Sequence, residues 1–385
     1  MHLQRIQVPN FRVLKNVDIT FEKDFSPRIF PLGSQNGGGK STLLQLIFTL
    51  LYCVNDKSLP FLENIIRSFR VKYNESGKIL AIIDIWDGKK TVKLEFLGFR
   101  DDYVRKIFLH DPNSFSSEEL SENVRNKNMI YIVEYSNSLY PNQVYLFCRP
   151  TNIDLKEIYI FLRELSQKIF LAAPPDQVFL FLPQESKRLL FTKHTEKYDK
   201  NQSINYYSAL KDAKSDLKGF FTYDFFATDI FIEMFQDARD KDFEEAVKTG
   251  TYGNNYNMLL NELNALLTNK KLNVTPDLSG IVFREERDGK TIELEPEDLS
   301  HGELKRLSIY MWLRHRKIED AIVLMDEIEN GFHPDGQYQI ISDLEEWAPN
   351  NHYILATHSY HVCEALTPRH VKELEPKLLT NQPSD

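Results

Sequence analysis

Lys40, Ser41 and Thr42 directly follow Gly37-Gly38-Gly39, an order of residue types suited to holding the polyphosphate of a nucleotide. Consecutive glycines let the backbone curl so that N–H groups converge on phosphate oxygens, and a helix starting at the lysine adds the positive end of its dipole. Lys40 is expected to reach the β and γ phosphates of ATP or GTP, and Ser41 to ligate Mg²⁺. Asn36, Gly37, Gly38, Gly39 and Thr42 complete the cradle. The pattern G-x-x-x-x-G-K-[ST] departs at one place, where Ser34 stands at the first glycine and Gly33 lies one residue too early.

A second chemical pole stands far along the chain. Ile322-Val323-Leu324-Met325 is an apolar run ending in Asp326-Glu327, as a buried parallel strand would deliver acids to its C-terminal edge. Asp326 is expected to hold Mg²⁺ through water and Glu327 to act as general base on the attacking water. Taken alone, a strand ending in Asp-Glu reads equally well as a surface turn. Tyr353-Ile354-Leu355-Ala356 repeats the strand pattern and ends in Thr357-His358-Ser359, which would put His358 against the γ phosphate. A lone histidine is more often structural; its place one strand beyond Asp326-Glu327 is what marks this one.

These groups need a scaffold that brings distant segments together. Leu43 to Val54 reads as a buried helix opened by the cradle. Lys78 to Gly98 alternates around Asp87-Gly88, a hairpin signal, and Met129 to Cys148 offers another around Tyr140-Pro141-Asn142. Asn152 to Leu171 has helical spacing, Val178 to Leu182 reads as a buried strand, and Asn201 to Leu272 is helical and rich in aromatics such as Tyr206, Phe220, Phe221 and Phe235. Those aromatics read as core before they read as a base-stacking surface. Ile281 to Leu294, turning at Asp288-Gly289, makes a last hairpin.

Leu299-Ser300-His301-Gly302-Glu303-Leu304-Lys305-Arg306 opens a helix ahead of the carboxylate strand. By itself it is a capping box, Ser300 with Glu303 three residues on. In the company of the other motifs it resembles the L-S-x-G-[EQ] signature of the ABC-type ATPases. The resemblance implies an α/β P-loop ATPase head with a mixed central sheet, an antiparallel β subdomain and a helical lobe. It divides the chain into residues 1–200, carrying the P-loop and β subdomain, 201–275, the helical lobe, and 276–385, carrying signature, carboxylate strand and switch histidine. It further implies that Ser300 and Gly302 of one subunit cap the γ phosphate held by Lys40 of another. Gln184, in the polar loop after Leu182, is then expected to couple Mg²⁺ to the helical lobe, with Gln143 as an alternative.

Finer wording points to one branch. Ile6-Gln7-Val8-Pro9-Asn10-Phe11-Arg12 resembles the opening strand of chromosome-maintenance (SMC) and OLD-like ATPases, and Arg12 is counted among the nucleotide contacts on that ground. Glu329-Asn330-Gly331-Phe332-His333-Pro334 and Thr357-His358-Ser359 resemble the dimer loop and switch of OLD-like and defence-associated members. Nothing between Thr42 and Leu299 sustains coiled-coil heptads, and no acidic metal cluster follows His358. The expected organisation is an armless ATPase whose effector is a separate nuclease or toxin, as in Septu-like or PARIS-like anti-phage systems. Such a head would form an ATP-sandwiched homodimer or higher oligomer and hydrolyse slowly. Two alternatives stand beside it: an ATP-binding scaffold with little turnover, and a nucleotide-binding subunit of a transporter.

Composition agrees with that reading. The chain of 385 residues, 42% hydrophobic and 27% charged, can bury a large core. Its net charge of −9 excludes a molecule-wide phosphate-binding surface, so DNA would be met only locally. Candidate patches are Arg67, Arg70 and Lys72; Lys187, Arg188, Lys193, His194 and Lys197; and Arg314, Arg316 and Lys317. Cys53, Cys148 and Cys363 form no C-x-x-C pair, and His361 with Cys363 supplies two metal ligands at most. With no charged-then-apolar leader and no apolar stretch long enough to span a bilayer, the expectation is a cytoplasmic protein without a membrane partner.

Overall fold

The computed structural model describes residues 1–53, 60–72, 75, 77–109, 117–137, 140–177, 217–223 and 228–374. Its N-terminal half builds a six-stranded antiparallel sheet from β1 (His2–Phe11), β2 (Leu14–Thr20), β4 (Lys78–Trp86), β5 (Thr91–Arg100), β6 (Ile130–Asn137) and β7 (Tyr140–Thr151), in the order β2-β1-β4-β5-β7-β6. The β4–β5 turn follows its sequence signal: Asp87 Oδ1 accepts from the backbone N–H groups of Lys89 and Lys90, both at 2.7 Å, and Gly88 takes φ 107°. The second hairpin is shifted from the sequence reading. Asn137 pairs with Tyr140, so Tyr140-Pro141-Asn142 starts β7 instead of forming the turn.

The other large sheet is assembled from both ends of the chain. β3 (Ile29–Gly33), β8 (Ile169–Ala173), β9 (Phe220–Thr222), β13 (Ile322–Asp326), β14 (His352–Ala356) and β15 (Lys372–Glu373) run in the order β15-β3-β14-β13-β8-β9. All of these pairings are parallel. The molecule therefore mixes parallel and antiparallel sheets, while the described strands of the central one are parallel throughout. β10 (Lys270–Val274), β11 (Ile281–Arg287) and β12 (Lys290–Leu294) form a small antiparallel sheet whose β11–β12 turn has both Asp288 and Gly289 at positive φ, as a type I′ turn requires.

The helices are α1 (Lys40–Cys53), α2 (Pro60–Ile66), α3 (Asp101–Phe108), α4 (Ser117–Asn126), α5 (Leu155–Gln167), α6 (Thr228–Thr249), α7 (Asn255–Ala265), α8 (His301–His315), α9 (Pro334–Trp347) and α10 (Tyr360–Glu364). Two sequence readings overran element types here. The helical spacing assigned to Asn152–Leu171 ends at Gln167, and Ile169 begins β8. Phe220–Thr222, read as part of a helical stretch, adds an edge strand beside β8, and Phe221 stacks on Trp312 with centroids 4.8 Å apart. Both are short apolar runs, for which periodicity alone does not separate strand from helix.

The parallel strands lack hydrophobic alternation because both faces are covered. Ile322, Leu324, Ile354 and Ala356 face a cluster made with α1 and the antiparallel sheet; Val323, Met325, Tyr353 and Leu355 face a second cluster made with α6 to α9. In α1, Leu43, Leu44, Leu46, Ile47, Phe48, Leu50 and Leu51 are all buried. A helix apolar on every side belongs between layers, and its N-terminus is thereby held rigidly at the sheet edge. No helix among the described residues is long and apolar enough to cross a membrane.

Candidate functional site

Four neighbouring parallel strands, β3, β14, β13 and β8, release their chains at one carboxyl edge, the usual ligand crevice of an open α/β sheet. From β3 comes the loop 34–39 leading into α1. Gly37 and Gly39 have φ of 80° and 94°, conformations that L side chains resist. At Gly39 a Cβ would also lie 2.7 Å from Leu14 Cδ2 and 2.9 Å from Val13 Cγ2, so the β1–β2 turn closes over the loop. Lys40 Nζ donates to Ser34 O at 3.0 Å and to Ser34 Oγ at 3.1 Å. The serine at the first glycine position thus supplies acceptors to the lysine. Asn36 and Thr42 flank the same loop and helix start.

β13 ends at Asp326, which is 2% exposed. Its Oδ1 accepts from Ser41 Oγ at 3.1 Å and its Oδ2 from Gln177 Nε2 at 2.7 Å. Burial is the main reason that the Asp326 carboxyl is pushed up to about 6; Glu327 and Glu329 add to the push, and the hydrogen bonds from Ser41 and Gln177 oppose it. Glu327 follows at φ 51°, with its N–H donating to Ala356 O at 2.9 Å and its Oε2 accepting from Asn330 Nδ2 at 2.6 Å. From β14, His358 Nδ1 comes within 3.3 Å of Lys40 Nζ, and the His358 backbone N–H donates to Glu329 Oε1 at 2.6 Å.

The signature segment forms the N-terminus of α8. Ser300 is its N-cap: Ser300 Oγ accepts from Glu303 N at 3.2 Å, and Glu303 Oε2 accepts in return from Ser300 N at 3.0 Å. Lys270 grips the Glu303 carboxylate at 2.8 and 2.9 Å and lowers its pKa against the opposing effect of burial. Gly302 packs on the turn after Asn330, where an added Cβ would stand 2.8 Å from Gly331 O. Among the described contacts, Ser300 and Gly302 engage Glu303 and residues 331–332, not the loop 34–42.

Lys40, Ser41, Asp326, Glu327 and His358 are therefore brought together. Arg12, at φ 52° in the β1–β2 turn, donates from Nε to Ser68 Oγ at 3.0 Å, beside the Val13 and Leu14 side chains that cover Gly39. Gln184 lies outside the described residues, as do the strand reading at Val178–Leu182 and the patch from Lys187 to Lys197. Gln143 sits in β7, where its Oε1 accepts from the Tyr145 hydroxyl at 3.3 Å, and takes no part in the site.

The glutamine that does reach Asp326 is Gln177, in a single 3₁₀ turn after β8, with Gln45 Nε2 of α1 donating to its Oε1 at 2.5 Å. Sequence reading misses it because the helical spacing of Asn152–Leu171 takes in the first three residues of the apolar run Ile169–Ala173, which is a strand. The run's ending in Pro174-Pro175-Asp176-Gln177 was the available signal. Two buried charged residues, Lys305 and Glu329, enter the sequence reading only as members of motifs, with no role of their own.

The comparison of this chain with protein families matches residues 1–363 to the AAA ATPase domain. The chain belongs to that family. This AAA ATPase is also similar in fold to solved heads of SMC proteins. An SMC head bound to the C-winged helix domain of ScpA is 11% identical, with a TM-score of 0.44 over 95% of this chain and 92% of that one. The SMC head domain from Thermotoga maritima is 11% identical, with a TM-score of 0.43 over 97% and 94%. The head with an extended coiled coil, bound to the C-terminal domain of ScpA from Pyrococcus furiosus, is 12% identical, with a TM-score of 0.42 over 94% and 91%. No curated protein matches the chain.

Proposed function

We propose that two copies of this AAA ATPase clamp ATP head to head and hydrolyse it slowly. The observation carrying this reading is the meeting of Lys40, Ser41, Asp326 and His358 at one sheet edge, while the described contacts of Ser300 and Gly302 lie with Glu303 and residues 331–332. Lys40 and the N-terminus of α1 hold the phosphates. The oxygen donors gathered there suit Mg²⁺: Ser41 Oγ meets the buried Asp326 carboxylate, a pairing of hydroxyl and carboxylate oxygens of the kind a hard divalent cation takes. Bound there, Mg²⁺ would neutralise charge on the β and γ phosphates. Glu327 takes the proton of the attacking water, and His358 contacts the γ phosphate. Ser300 and Gly302 of the partner subunit complete each site. Glu327→Gln tests this directly: light scattering with ATP should give a stable species of doubled mass with turnover cut to a small residual rate. Normal turnover from a monomer would overturn it.

The finer assignment, control of a separate nuclease or toxin in anti-phage defence, draws its support from Asn10-Phe11-Arg12, Glu329–Pro334 and Thr357–Ser359. Co-expression with the adjacent gene product, measuring mass and ATP turnover with and without DNA, tests it. A nuclease-like or toxin-like partner supports the assignment, and a membrane-protein partner overturns it in favour of transport.

A further inference from the structure

Glu327 occupies a left-handed conformation, φ 51°, that a glutamate adopts only when its surroundings hold it there. Its peptide groups are gripped on both sides. The N–H donates to Ala356 O at 2.9 Å, and the carbonyl accepts from Lys305 Nζ at 2.8 Å. The same Nζ donates to Asn330 O at 3.2 Å, and Asn330 Nδ2 in turn donates to Glu327 Oε2 at 2.6 Å. One ammonium group thus closes the turn 327–330 at both ends and, through Asn330, bears on the direction of the Glu327 carboxylate.

Packing does not call for a lysine at this place. Lys305 is 5% exposed, and its Nζ stands 4.0 Å from the centroid of the Tyr223 ring and 5.6 Å from that of Phe332. Burial brings its pKa down to about 7 against the pull of Glu329, Glu327 and Asp326, so the charged group sits there at a cost that an apolar side chain would avoid. What the lysine supplies is a pair of directed donors to two carbonyls. It also lies on α8, within about a turn and a half of Ser300 and within one turn of Gly302.

We propose that Lys305 is a positioning residue for hydrolysis, holding Glu327 at its working angle and fixing that angle to the helix whose N-terminus is offered to the partner's phosphate. The inference rests on Glu327 being the hydrolytic base. A shift of α8 when a partner's nucleotide docks on Ser300 and Gly302 would then be felt at the base of the same subunit. Glu329 extends the connection, because its Oε1 accepts from the His358 N–H while His358 Nδ1 faces Lys40 Nζ.

The test is a double-mutant cycle on the full chain: Lys305→Met, Lys305→Arg, Glu327→Gln and the Lys305→Met/Glu327→Gln double variant. It reads single-turnover hydrolysis at saturating ATP together with ATP affinity. Lys305→Met should lower the hydrolytic rate about tenfold to a hundredfold with affinity held within about threefold, as expected for a misplaced base. Lys305→Arg, which can still donate to both carbonyls, should recover part of the rate. In the Glu327→Gln background Lys305→Met should subtract nothing further, a non-additivity that general destabilisation does not produce. Equal fractional losses in both backgrounds, or affinity falling in step with rate, overturn the inference and leave Glu327 as the base. Unchanged turnover in Glu327→Gln removes the base assignment and this inference with it. Should Lys305→Met not fold, Lys305→Gln takes its place in the same cycle.

Discussion

Ser41 Oγ donates to Asp326 Oδ1 across 3.1 Å, joining the start of α1 to the end of β13. The contact exists because β3 and β13 flank β14 in one parallel sheet, so two segments remote in sequence leave the sheet side by side. If the pair shares a divalent ion, Ser41→Ala should weaken ATP binding about tenfold to a hundredfold when Mg²⁺ is present. Binding in EDTA should be unchanged. Titration calorimetry under both conditions decides it, since equal losses would mean that Ser41 acts on the nucleotide or on the fold and not on the ion.

A pH prediction follows from the other end of β14. His352 is fully enclosed, its Nδ1 accepts the Leu3 N–H at 3.0 Å, and burial together with His2 and Arg28 holds its pKa well below 6.5. Its depressed folded value means that the unfolded chain binds the proton first, so stability is lost as pH falls below 6.5. The loss should be visible between pH 7 and 5, the interval in which the unfolded chain takes up this proton. His352→Gln keeps an acceptor for Leu3 without the proton uptake. Its unfolding midpoint should therefore fall less steeply than the wild type's over that interval, and parallel curves would refute the assignment.

The legibility of the sequence followed the reach of each signal. Loop 34–42, the hairpins at Asp87-Gly88 and Asp288-Gly289, and the capping box at Ser300 are set by local backbone demands, and each stands where its residues indicated. Gln177 was hidden because nothing local distinguishes it; only the pairing of β8 with β13 places it against Asp326. Lys305 was hidden for a related reason. In sequence it is one more polar residue in the first turns of a helix, and its carbonyl partners lie in a turn that only tertiary packing sets beside it.

Arg306 makes a bidentate contact with Asp343 at 2.6 and 2.8 Å, tying α8 to α9. The Asp343 side chain is 3% exposed, against 28% for Arg306. Removing the arginine strands a buried carboxylate with Gln339 Nε2 still donating to it at 3.0 Å. Arg306→Met should therefore cost roughly 3 kcal/mol of stability. Adding Asp343→Asn should return a good part of it, because the unpaired charge is then gone. Denaturant unfolding of the two variants checks the sign; a double variant no more stable than the single one would show that packing, not charge, is what the arginine supplies.

The strongest test of the paired arrangement uses two defects that should compensate. Ser300→Ala loses its cap, worth about 1 kcal/mol, and leaves its own Lys40 loop untouched. Lys40→Ala removes the phosphate contact and keeps its own signature. If each site takes Lys40 from one subunit and Ser300 from the other, both homodimers are inactive. A mixed dimer, however, contains one site with both residues intact, since a two-fold interface repeats the same contact twice. Equal mixing makes half the dimers mixed, each with one working site of two, so turnover should recover to about a quarter of wild type. If Ser300 instead served its own subunit's nucleotide, every subunit in the mixture would carry a defect in its own site and turnover would stay at the level of the separate variants.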